Sequence, residues 1–245
     1  DSNVVWLGTG ENSNPRSSMY GDGVYKSADA GATWQRVGLE TSEHIGRILI
    51  DPRSSNIVYV ASQGPLWSAG GERGLYKTAD GGKTWKAVLT ISPDTGVNDV
   101  VFDPHNPDIL YASSWQRRRA TGQFVGGGPE SAVFKTIDAG KNWTKLTNGL
   151  PTGPMGRIAV GVDPKAKPTR VYVLANALRA ESGFYRSDDA GKTFARVGIM
   201  ERAAGGRGAG APATPPADVQ AGGRAAGAAA VPPAGAQAGG RAGGA

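Results

Sequence analysis

Four aspartates recur in one local setting. Asp29, Asp80, Asp138 and Asp189 each have Ser or Thr two residues before, Gly two after, Thr or Asn four after and an aromatic five after, with spacings of 51, 58 and 51 residues. Carboxylates in this number could act as acid–base pairs, since glycoside hydrolysis needs two of them flanking the scissile bond, about 5–10 Å apart. A catalytic pair has no reason to recur once per repeat. An Asp that accepts backbone N–H groups in a tight turn does, and the Gly after it can supply a left-handed residue. The four are therefore read as scaffold, together with Gly31, Gly82, Gly140 and Gly191 and the aromatics Trp34, Trp85, Trp143 and Phe194. Periodicity also removes Asp51, Asp103 and Asp163, each followed by proline. Outside the repeats remain Glu11, Asp22, Glu72, Asp99 and Glu130, of which Glu11 and Asp99 are the catalytic candidates; neither sits in a catalytic-pair motif, and no nucleophile can be assigned.

Other chemistries are excluded by composition. The chain has no cysteine, and its two histidines, His44 and His105, are far apart, so neither a thiolate or histidine metal site nor a cysteine nucleophile is expected. No metal or cofactor is predicted. The net charge of +6 is spread along the chain apart from the run Arg117-Arg118-Arg119, and no nucleic-acid reading motif accompanies it, so no nucleic-acid partner is expected. No run approaches 18 consecutive apolar residues, so no membrane-spanning helix is expected.

The elements that position these residues follow from the same repeat. Each aspartate turn follows an aromatic and a base: Tyr25-Lys26, Tyr76-Lys77, Phe134-Lys135 and Tyr185-Arg186. Upstream of the last three copies lie two further strand signals separated by an Asp-Pro turn, as in Arg47-Ile-Leu-Ile-Asp51-Pro52 and Ile57-Val-Tyr-Val-Ala61. Four short antiparallel strands in about 50 residues make one β-propeller blade. Blades are predicted over about 4–39, 44–90, 97–147 and 155–198. The first opens at Val4-Val-Trp-Leu-Gly8, which aligns with a second strand, so it lacks its innermost strand. The fold class is all-β, a partial propeller of about four blades in residues 1–202. Beyond it, 34 of the 43 residues from Ala203 to Ala245 are Gly, Ala or Pro, which reads as a disordered low-complexity tail.

The turn matches the Asp-box of bacterial neuraminidase-type repeats. With Gly8-Thr-Gly-Glu11, His44-Ile-Gly-Arg47, Arg73-Gly-Leu-Tyr-Lys77 and Asn148-Gly-Leu-Pro151 it resembles the bacterial sortilin-type and glycosyl-hydrolase-like repeat proteins over residues 4 to 198. That resemblance implies an exported protein, secreted or periplasmic, and a longer parent propeller whose remaining blades would be partners. It does not choose an activity, because the same box serves hydrolases and receptors.

A blade of this kind sends its Asp-Pro and Asp-box turns to one face and its variable loops to the other, where binding groups tend to sit. On the loop face the innermost strands open with Arg47, Asp99 and Arg157, while Trp67, Trp115 and Arg118 lie in the loops. The Arg–Asp–Arg set reads either as a site for an anionic or hydroxyl-rich ligand or, preferred, as a rim salt bridge between blades. The two tryptophans read as ligand contacts or as loop packing. The favoured function is capture of a peptide or protein on the loop face. The alternative is a xyloglucanase-like or sialidase-like glycoside hydrolase acting on polysaccharide.

Overall fold

A computed structural model describes residues 2–13, 17–178 and 180–199; the low-complexity tail lies outside them. The described residues are all-β. Blade 1 has three strands, β1 (Val5–Gly8), β2 (Val24–Ser27) and β3 (Gln35–Arg36). Blade 2 has four, β4 (Ile45–Ile50), β5 (Val58–Ser62), β6 (Gly74–Thr78) and β7 (Lys86–Leu89), paired in sequence order. In blade 3, β8 (Thr95–Phe102) and β9 (Leu110–Gln116) are followed by a small hairpin, β10 (Arg118–Ala120) and β11 (Gln123–Val125), before β12 (Val133–Thr136) and β13 (Thr144–Leu146) complete the sheet. Blade 4 is β14 (Ile158–Asp163), β15 (Arg170–Ala175), β16 (Gly183–Ser187) and β17 (Ala195–Ile199). All pairings within the blades are antiparallel.

The second strands of blades 2 and 3 are covered on both sides, which is why β5 and β9 read as nearly unbroken runs of buried residues, whereas β15 and β16 of blade 4 alternate. The core is divided into three clusters. Val24, Leu39, Ile45, Val58 and Val60 join blades 1 and 2. Tyr59, Leu75, Val97, Val100 and Leu110 join blades 2 and 3. Tyr111, Val133, Ile158, Val171 and Val173 join blades 3 and 4. Hydrophobic burial therefore accumulates between blades, not inside any one of them.

The Asp-box turns close as the sequence predicts. In blade 2, Asp80 Oδ1 accepts from Thr84 N at 2.9 Å and from Thr78 Oγ1 at 2.8 Å, its Oδ2 accepts from Thr84 Oγ1 at 2.6 Å, and Gly82 N donates to Thr78 Oγ1 at 2.9 Å. The same bonds recur around Asp29, Asp138 and Asp189. Donors led by the side chains of Thr33, Thr136 and Thr193 lower these three carboxyls to about 2. Two residues of each turn are left-handed, not one: Ala30, Gly81, Ala139 and Ala190, at φ 58, 72, 57 and 58°, precede the box glycine.

Those left-handed residues tie the blades together. Their N–H groups reach back to the turn that opens their own blade, as in Gly81 N to Asn56 O at 3.0 Å. In blades 2, 3 and 4 their carbonyls are clasped by the preceding blade. Ala139 O accepts from Tyr59 Oη at 3.0 Å and Lys77 Nζ at 3.1 Å; Ala190 O accepts from Tyr111 Oη at 3.1 Å and Lys135 Nζ at 2.7 Å; Gly81 O accepts from Lys26 Nζ at 2.9 Å. The bases that precede the first three boxes in sequence, Lys26, Lys77 and Lys135, thus serve the box of the next blade.

Candidate functional site

The innermost strands β4, β8 and β14 are neighbours, and their starts form the site. Register shifts between Ile45 and Arg47 and between Val97 and Asp99 place a bulge at the same point of blades 2 and 3. Bulges re-aim the side chains beside them. Gly46 allows the strands to close up here, since a Cβ on it would lie 2.3 Å from Asn98 O. Arg47 Nε then stands 3.2 Å from Asp99 Oδ1. The Asp99 carboxylate also accepts from Val100 N at 3.0 Å and from Val160 N of blade 4 at 3.3 Å. Arg157 donates to Asn12 O at 3.2 Å and lies over the Trp115 ring, 5.7 Å from its centroid.

These groups surround a cavity of about 330 Å³ whose polar lining is Asn12, Arg47, Asn98, Asp99, Arg157 and Asn176. Burial pushes the Asp99 carboxyl above its ordinary range, against the opposing pull of Arg47 and of the two backbone donors. Among the described residues Asp99 is the one carboxylate in the lining. The cavity can therefore offer a proton donor or acceptor, guanidinium groups and amides to a hydroxyl-rich ligand. A larger groove of about 530 Å³ lies on the opposite, Asp-box face, where Lys135, Asp138 and Asn142 of its lining already hold turns and clasps.

Below the cavity lies a buried polar network. Asn98 Nδ2 donates to Ile158 O at 3.0 Å, and Gln63 Nε2 donates to Asn98 Oδ1 at 3.0 Å and to Asn12 Oδ1. Arg117 donates to Gln63 Oε1 and to Ser13 O at 2.6 Å; Arg73 donates to Gln63 O, Pro65 O and Ser68 O. Burial lowers both guanidinium groups to about 10, and the Nε of each has no partner. His44, also buried, is lowered to about 4, first by desolvation and then by Arg117. The network anchors Asn12 and Asn98 at the cavity wall.

The other sequence candidates are placed as follows. Glu11 is exposed and accepts from Ser13 Oγ and Met19 N within its own loop. Glu72 accepts from Thr41, Glu130 from Ser92 and Thr95, and Asp22 from Tyr25, so each fixes a loop. Trp115 is 2% exposed, its indole N–H donating to Gly126 O at 3.0 Å and its ring between Arg117 and Arg157. Arg118 pairs with Asp94 at 3.0 Å. Trp67 is 53% exposed. Asn12 lies in a variable loop of the face where binding groups were expected; sequence reasoning missed Asn98, Asn176 and Gln63, and the near-repeat of Gly46 and Asn98, each in front of the aligned Arg47 and Asp99, was the available signal.

The family model Sortilin-Vps10 (Sortilin, neurotensin receptor 3) matches residues 22–152, more than half of the chain. An oligoxyloglucan-reducing end-specific xyloglucanase of Emericella nidulans is 26% identical over 232 residues, covering 74% of this chain and 28% of that protein. A xyloglucanase of a Paenibacillus species is 28% identical over 171 residues, covering 62% of this chain and 16% of its own. Among solved structures, an ancestral GH74 enzyme superposes with a TM-score of 0.58 at 20% identity, over 80% of this chain and 22% of the other, a likeness of fold. The chain spans less than a third of the length of each.

Proposed function

The chain belongs to the Sortilin-Vps10 family, and on that premise we propose that it is a carbohydrate-active propeller segment whose loop-face cavity engages a hydroxyl-rich polysaccharide, with a xyloglucan-type β-glucan as the first ligand to try. The observation that carries this reading is Asp99, a carboxyl raised by burial inside a cavity lined by two arginines and three asparagines. A carboxyl held neutral to higher pH suits a general acid, and amide and guanidinium donors suit sugar hydroxyls. The xyloglucanase relatives support the substrate class. Hydrolysis would need a second carboxylate from outside the described lining, so this segment contributes one member of a pair. Kinship also favours an extracytoplasmic setting.

Titration calorimetry with xyloglucan oligosaccharides, alongside a reducing-sugar assay, tests the proposal. Arg157→Ala should weaken binding about tenfold or more, by loss of a charged hydrogen-bond donor. Asp99→Asn should remove any hydrolysis while changing affinity little. Absence of saccharide binding to the folded wild type would sink the reading. A second reading, capture of a peptide on the loop face, is favoured by the family model and by the exposed Trp67. In that case Trp67→Ala weakens capture and Asp99→Asn does not.

A further inference from the structure

The two bulges that aim the cavity side chains are held from a single point. Their extra residues are Gly46, between Ile45 and Arg47, and Asn98, between Val97 and Asp99. Asn12 Nδ2 donates to Gly46 O at 3.3 Å, and Asn12 Oδ1 accepts from Gln63 Nε2. The same Gln63 Nε2 donates to Asn98 Oδ1 at 3.0 Å, and Asn98 Nδ2 donates to Ile158 O at 3.0 Å, beside Arg157. A bulge turns the side chains next to it. The aim of Arg47 and Asp99 therefore traces back to Gln63, which is 1% exposed and not part of the cavity lining.

The direction of these bonds is forced. A guanidinium only donates, so the Gln63 atom that meets Arg117 is its oxygen, and its nitrogen is left for the two asparagines. Gly46 O and Ile158 O only accept, so each asparagine turns its nitrogen to a carbonyl and its oxygen to Gln63. Both ends of the network require the same setting of all three amides. The main chain of Gln63 is pinned as well, its N–H donating to His44 O at 2.9 Å and its carbonyl accepting from Arg73. Asn12 brings the loop after β1 into the arrangement. Its carbonyl accepts from Arg157 of blade 4 at 3.2 Å, and Ser13 O accepts from Arg117 of blade 3 at 2.6 Å.

We propose that Gln63 is a positioning residue of the cavity: by donating to Asn12 and Asn98 together it sets the two bulges that aim Arg47 and Asp99 and fastens the blade 1 loop as a wall. The saccharide reading of the cavity enters only through what binds there. If Gln63 served merely to receive the Arg117 guanidinium, a carboxylate in its place would serve at least as well. A glutamate receives but, ionised, cannot donate, and it would leave both asparagine oxygens facing a carboxylate.

Gln63→Glu in the whole chain separates the two roles, with two readouts. Hydrogen exchange of side-chain amides, followed by NMR without ligand, reads the fastening. In the wild type the Gln63 and Asn98 amides should exchange at least about tenfold more slowly than those of the exposed Gln35 and Gln123, and Gln63→Glu should speed Asn98 by about tenfold or more. Titration calorimetry with xyloglucan oligosaccharides reads the site, where Gln63→Glu should weaken binding about tenfold or more. Wild-type Gln63 and Asn98 amides that exchange as fast as Gln35 and Gln123 overturn the proposal, whatever the variant does. So does a folded Gln63→Glu chain that keeps either the wild-type exchange of Asn98 or the wild-type saccharide affinity. A wild type that binds no xyloglucan oligosaccharide overturns the saccharide reading alone, and amide exchange then decides the role of Gln63.

Discussion

The clasp on Ala139 O permits a test in which the structure sets the size of each effect. Tyr59 and Lys77 both donate to this carbonyl, at 3.0 and 3.1 Å, and Tyr59 is fully buried. Tyr59→Phe removes one donor and leaves the acceptor paired, so the loss should be one net hydrogen bond, about 1 kcal/mol. Lys77→Met removes the charged donor and leaves the phenol, a loss of about 1.5–3 kcal/mol. The double variant strands the carbonyl of a left-handed residue inside the interface, which adds a desolvation penalty of about 1–3 kcal/mol that neither single change incurs. The double-mutant cycle should therefore be non-additive by at least about 1 kcal/mol. Urea unfolding followed by tryptophan fluorescence and circular dichroism measures this as a shift in midpoint at unchanged slope. A changed slope would mean that the blades had come apart as separate units. Additivity within about 0.3 kcal/mol, or a cost above about 2 kcal/mol for Tyr59→Phe alone, would refute the reasoning.

Three further outcomes follow from the geometry. Asp29, Asp138 and Asp189, lowered from 3.8 to about 2, stabilise the fold above pH 4 and lose that contribution as pH falls towards 2; His44, lowered from 6.5 to about 4, adds stability that is complete above pH 6.5 and lost as pH falls through 4. Circular dichroism against pH should show stability declining below 6 and more steeply below 4, and a flat profile to pH 2 would contradict both assignments. Asp99 runs the other way: its carboxyl is raised, so its contribution is complete below pH 3.8 and fades as pH rises through its folded value, and Asp99→Asn should gain stability relative to wild type between pH 4 and 7 in thermal melts. Finally, Gly149→Ala places a Cβ 1.9 Å from Phe194 O at φ 79° and should destabilise strongly, whereas Gly122→Ala, at φ 76° with nothing within 4 Å, should cost only the left-handed strain of about 1–2 kcal/mol; equal melting shifts would refute the collision argument.

The blade architecture was legible because its determinants are local and repeated. Asp80 needs only Thr78, Gly82 and Thr84 to close its turn, and all four types stand in the sequence at fixed spacing. The left-handed alanines were not legible, since Ala30 carries no compositional sign of φ 58°; that conformation is held by bonds to residues distant in sequence, such as Asn3 O. In the site, Arg47 and Asp99 were found because counting back from Asp-Pro turns aligns their strands. Asn98, inside β8, and Gln63 and Asn176, just past the ends of β5 and β15, were missed because a polar residue looks the same in sequence whether it is solvated or joined to a buried network. Trp115 and Arg117 show the same limit, as tertiary packing alone decides that the first residue of a basic run is buried.

Because the apolar clusters lie between blades, the sequence repeat and the unit that excludes water are out of phase by half a blade. A single blade therefore carries two half-finished surfaces and no finished core. A run of chain that carries a whole cluster takes two adjoining blades: the cluster between blades 2 and 3 draws on residues from Leu49 to Trp143, and its clasp joins Tyr59 and Lys77 to Ala139. Each blade inserted into or deleted from this chain therefore rewrites two seams at once, and the residues to match are those of the neighbours on both sides.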